Sequence, residues 1–95
     1  MPEIYRVIWS LESSEKVQSI KEYLLEEWSE NEFSNFLKQL KKFEKIVTRY
    51  PKLYPSSIKH PKFRRAVITK FQSVIYEIDD NIIKVHTILD HRQSD

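Results

Sequence analysis

FQSVIYEIDDNIIKVHTIL, residues 71–89, decides the fold. Two runs rich in Ile, Val and Tyr flank the polar trio Asp79-Asp80-Asn81. β-branched and aromatic side chains suit a pleated, half-buried surface. Asp and Asn tolerate the left-handed backbone that a tight hairpin turn demands. The spacing therefore predicts strands over 71–78 and 82–89, joined at Asp80-Asn81. Both are apolar enough to lie at the centre of a sheet.

Working upstream, residues 63–69 alternate: Phe63, Arg65, Val67 and Thr69 share one face, and Arg64, Ala66 and Ile68 the other. That period of two predicts another strand, with Lys70 in the turn after it. Residues 51–61 hold three of the chain's four prolines and read as a loop. Before it, Phe33, Phe36, Leu37, Leu40, Phe43 and Val47 fall at helical spacing, opposite a basic face of Lys38, Lys41, Lys42, Lys45 and Arg49. Pro51 ends this helix, because the residue before a proline is pushed out of the helical region. Residues 29–32 are a short polar break. Ahead of them Val17, Ile20, Leu24 and Trp28 mark a first helix, with Ser10 or Ser13 as its cap. Residues 4–9 open the chain as a strand, with Tyr5, Val7 and Trp9 on one face.

The order is β-α-α-β-β-β in a single domain, residues 1–95. Two amphipathic helices need a surface to bury against, and a sheet with one apolar face supplies it. The expected fold is α+β: a helical hairpin packed on one face of a mainly antiparallel four-stranded sheet.

Composition narrows the chemistry. The chain has no glycine, which excludes phosphate-cradling loops of the P-loop and dinucleotide-binding kinds. It has no cysteine, hence neither disulfides nor thiolate chemistry. No apolar run approaches the roughly 20 residues that span a bilayer, and the N-terminal residues do not read as a signal peptide. A cytoplasmic location without membrane partners is the expectation. The formal net charge of +2 is unevenly spread: residues 33–70 carry eleven Lys and Arg against Glu44 alone. Such a basic middle segment suits an anionic partner, a nucleic acid or an acidic protein; a solvated helix face is the plainer alternative.

His60, His86 and His91 have no metal-ligand spacing, and no metal or other cofactor is expected. Asp79 and Asp80 belong to a turn. What remains is a basic and imidazole-bearing set: Arg64 and Arg65 on one strand, Lys70 at its end, His91 and Arg92 beyond the last strand. Guanidinium groups stabilise charge on a phosphate, and histidine serves as general acid or base. The same groups suit plain anion binding.

A strand, a helical hairpin, a proline-bearing loop and then FRRAVITKFQSVIYEIDDNIIKVHTILDHRQ resembles the RelE/ParE toxin superfamily of bacterial type II toxin–antitoxin systems. The resemblance covers nearly the whole chain and rests on order and spacing. It implies a growth-inhibiting toxin, of the kind tied to plasmid stabilisation, neutralised by a cognate antitoxin protein. RelE-like members cleave mRNA on the ribosome; ParE-like members inhibit DNA gyrase. Arg64 falls where RelE-like members place a strand lysine, and Arg92 matches their arginine past the last strand. Ala66 and Ser73 stand where a further lysine and an arginine are expected, and the sequence ends before the usual tyrosine. His91 would have to replace it. The resemblance thus favours the ParE-like branch, with Arg65, Lys70, Lys41 and Lys45 as binding residues. Arg64, His91 and Arg92 would be catalytic only in a metal-independent endoribonuclease.

Overall fold

The computed structural model describes residues 5–92. Ile4, assigned to the first strand, and the tail residues Gln93, Ser94 and Asp95 lie outside them. The elements run β1 (Arg6–Trp9), α1 (Leu11–Glu27), α2 (Glu30–Arg49), β2 (Phe63–Val67), β3 (Gln72–Asp79) and β4 (Ile82–Asp90). The four strands form one sheet in the order β1-β4-β3-β2. β3 pairs antiparallel with both β2 and β4, and β1 pairs parallel with β4. The expected α+β architecture holds, with the 71–89 hairpin at the centre of the sheet. β2 lies beside β3, so the basic strand does not adjoin the last strand.

The hairpin turns where the sequence placed it. Asp80 takes a positive φ of 57°, the left-handed conformation Asp tolerates. One irregularity was not foreseen. Ile75 faces Thr87 but Tyr76 faces Val85, so His86 is an extra residue in β4. Such a bulge re-aims side chains and bends the strand. Ser10 ties itself to this point: its hydroxyl donates to the His86 carbonyl at 2.8 Å. The same oxygen accepts from the Ser13 N–H at 3.0 Å and so caps α1.

The expected break at 29–32 shrinks to Trp28-Ser29. Ser29 Oγ accepts from the Glu32 N–H at 3.2 Å, which draws Glu30 and Asn31 into the first turn of α2. Glu30 and Glu32 there suit the positive end of the helix dipole. β2 ends at Val67 rather than 69. The Thr69 hydroxyl captures the N–H groups of Phe71 and Gln72, at 3.1 and 3.0 Å, and folds the segment into a turn.

Both helices bury one face against the same side of the sheet. Ile20 and Leu24 of α1, and Phe36, Leu40, Phe43 and Val47 of α2, meet Ala66, Val74, Tyr76, Ile83, Val85 and Ile88 in one core. The loop of 50–62 is held from beneath. Phe43, Tyr54 and Tyr76 contact one another with centroids 5.6–6.2 Å apart, and the Tyr76 hydroxyl donates to the Pro51 carbonyl at 2.6 Å. Burial pushes the Tyr76 phenol up to about 12, and burial raises the Tyr54 phenol too.

Candidate functional site

Pleating separates the arginine pair. Successive strand residues point to opposite faces, so Arg64 turns toward the loop and Arg65 toward the sheet face that carries no helix. Arg64 Nη1 donates to the Tyr54 carbonyl at 2.7 Å and to the Lys52 carbonyl at 3.4 Å. Its cation is spent on holding the loop.

Arg65 reaches across β3. Its Nε donates to Ser73 Oγ at 3.2 Å, and its Nη2 lies 2.8 Å from His91 Nε2. Guanidinium has donors only, so His91 Nε2 accepts. The His91 backbone N–H donates to the Phe71 carbonyl at 2.9 Å, which fixes where the ring begins. Beside this trio a hollow of about 430 Å³ is lined by Ser57, His60, Phe63, Arg65, Ile75 and Leu89. A cation, an imidazole and an apolar floor thus meet on the open face. Further along it, His86 Nε2 sits 2.7 Å from Glu77 Oε1, with the Phe63 ring edge-on at 4.9 Å.

Arg92 lies elsewhere. Its Cζ is 3.9 Å from the Phe71 ring centroid and 4.4 Å from that of Trp28. Nη1 meets Glu32 at 3.3 Å and Nε lies 3.8 Å from Asp90. The side chain is only 9% exposed. Asp90 in turn accepts from Gln72 Nε2 at 2.8 Å and from the Arg92 N–H at 2.8 Å. Tyr23 donates to the Arg92 carbonyl at 3.0 Å and accepts from Trp28 Nε1 at 3.2 Å. This cage clamps the end of β4 to the junction of the two helices.

Of the sequence candidates, then, Arg65 and His91 come together, while Arg64 and Arg92 are engaged in the framework. Lys41 and Lys45 are exposed on α2. Lys70 projects from the turn, its Nζ 5.9 Å from the Phe71 ring centroid. Sequence reasoning missed Ser73, Glu77 and the Trp28–Phe71 cage. Strand alternation could have found the first, since Ser73 shares a face with Arg65 across the pair Val67 and Ser73. Among the described residues no group of three or more His, Cys, Asp or Glu could hold a metal ion. No described helix is long and apolar enough to cross a membrane.

No protein-family model and no curated protein matches the sequence. Solved structures of toxin–antitoxin proteins share its fold. One is the chromosomal ParDE toxin–antitoxin system from P. aeruginosa, with a TM-score of 0.76 at 9% identity, covering 93% of this chain and 97% of that one. Another is the E. coli DinJ–YafQ toxin–antitoxin complex, TM-score 0.63 at 13% identity, with 93% of each chain covered. YafQ from E. coli strain BL21(DE3) gives 0.59 at 14% identity, covering 93% of this chain and 94% of that one.

Proposed function

We propose that this protein is the toxin of a type II toxin–antitoxin pair, acting in the ParE-like manner by binding a large cellular target such as DNA gyrase, and neutralised by a cognate antitoxin. One observation carries the choice of branch. Of the three residues a nuclease would use, Arg64 and Arg92 are bound to backbone carbonyls and to an aromatic–carboxylate cage. Arg92 is only 9% exposed, and Arg64 commits its Nη1 to the loop carbonyls, so neither stands as a dedicated phosphate ligand. The ParDE and DinJ–YafQ likenesses supply the toxin–antitoxin context. Induction of the gene should arrest growth, and co-expression of its genomic neighbour should relieve the arrest. Purified protein should inhibit gyrase supercoiling; arrest of translation with supercoiling intact would overturn the branch.

A second reading has one observation in its favour. Arg65, Ser73 and His91 form a donor and acid–base cluster on the open face, which is the chemistry that a RelE-like endoribonuclease on the ribosome would need. Mapped mRNA 5′ ends decide it: cuts that disappear in His91→Ala support cleavage, and intact transcripts in arrested cells exclude it.

A further inference from the structure

The hollow of about 430 Å³ beside Arg65 is built by strand register. Phe63 and Arg65 are two apart on β2 and so share a face. Ile75 lies opposite Arg65 on β3, and Leu89 lies opposite Ser73 on β4. Phe63, Arg65, Ile75 and Leu89 thus reach the hollow from three adjacent strands. The loop closes its outer side, and hydrogen bonds pin that wall. Arg65 N–H donates to the Pro55 carbonyl at 3.1 Å, and Ser57 N–H to the Phe63 carbonyl at 2.8 Å. Phe63 N–H donates to the His60 carbonyl at 2.9 Å, and Ser57 Oγ accepts from the His60 N–H at 3.2 Å. The His60 ring stands edge-on to Phe63, with centroids 6.2 Å apart. Walls that are held before a ligand arrives spare the entropy of ordering them.

The surface of the hollow is mainly apolar. None of the described lining residues is acidic. Among the described residues no carboxylate pairs with Arg65. Its guanidinium spends Nε on Ser73 and Nη2 on His91, which leaves the Nη1 donors unused. Arg64 also borders the hollow, but gives its Nη1 to the loop carbonyls. An apolar cavity therefore carries one uncompensated cation with donors to spare.

We propose that this hollow binds a small aromatic monocarboxylate, with the carboxylate on Arg65 Nη1 and the ring against Phe63, Ile75 and Leu89. Charge complementarity selects the anion, and the apolar walls select the body. The unused donors of one guanidinium suit one carboxylate. A nucleic acid brings a chain of phosphates and polar sugars, to which Phe63, Ile75 and Leu89 offer no hydrogen bond. The site does not depend on the toxin reading, and its test involves no measure of toxicity.

The probes are 2-naphthoate, its neutral isostere 2-naphthamide, and uridine monophosphate. Each is titrated into the full-length protein at neutral pH and followed by amide NMR. The naphthoate should bind with a Kd of about 1 mM or tighter, as its size allows, and shift the amides of Ser57, Phe63, Arg65, Ile75 and Leu89. The naphthamide should bind about tenfold more weakly, for want of a charge-assisted hydrogen bond. Uridine monophosphate should bind more weakly than the naphthoate. Arg65→Gln should abolish the preference for naphthoate over naphthamide. Leu89→Glu sets a like charge at a position 39% exposed, and should weaken the naphthoate about tenfold or more. No naphthoate binding at millimolar concentration, equal binding of the amide, or shifts centred elsewhere would overturn the proposal. So would uridine monophosphate binding as tightly as the naphthoate, or an undiminished preference in folded Arg65→Gln.

Discussion

Arg65 Nη2 and His91 Nε2 stand 2.8 Å apart, joined across an intervening strand. The contact requires a neutral imidazole with its proton on Nδ1, because guanidinium cannot accept. Nitrogen-15 NMR of the histidine rings should show His91 as the Nδ1–H tautomer, with Nε2 as the acceptor. His91→Ala should change stability by no more than about 0.5 kcal/mol, as for an exposed site, read by urea unfolding. In the binding reading the variant keeps its toxicity.

Arg92→Ala should destabilise the fold by about 3 kcal/mol. It removes a guanidinium stacked between two rings and leaves the buried Asp90 carboxylate without its cation. Arg92→Lys should recover little, since a point charge on a flexible stem cannot fill a planar slot. Denaturant midpoints of the two variants check both statements.

Tyr76 gives stability an alkaline edge. Its phenol ionises near 10 in the unfolded chain and at about 12 in the fold. The folded state therefore keeps its proton where the unfolded state has lost it. The contribution is complete below pH 10 and declines as pH rises from 10 to 12. Tyr76→Phe should flatten that decline. At neutral pH it should cost about 1–2 kcal/mol, because the Pro51 carbonyl loses its donor. Unfolding curves from pH 8 to 12 provide the measurement.

Arg64→Met keeps much of the stem and deletes the donors to Lys52 and Tyr54. Hydrogen exchange should accelerate across residues 52–57, while β3 and β4 keep their protection. Global stability should fall by about 1–2 kcal/mol.

The hairpin was legible because a period of two and an Asp-Asn turn are local signals. The helices were legible because Phe36, Leu40, Phe43 and Val47 recur at helical spacing. Helix and strand ends were less so. The start of α2 hangs on a single Ser29 hydroxyl, and the end of β2 on the Thr69 hydroxyl. The candidate site was half legible. Alternation had already put Arg64 and Arg65 on opposite faces, yet residue type grouped them. The burial of Arg92 depends on Trp28 and Phe71, which lie 64 and 21 positions away in the sequence, and no local pattern announces such a cage.

The parallel pairing of β1 with β4 has a consequence for the order of events in the cell. Arg6 finds its partner in Ile82, so β1, the first of the four strands in sequence, cannot pair until β4, the last of them, is available. Contacts of such sequence separation are paid for in loop-closure entropy before they reward it. Every part of the molecule that touches β1 is therefore completed late. Until β4 is in place, β1 has no neighbour in the sheet order β1-β4-β3-β2, and the sheet is not closed on that side.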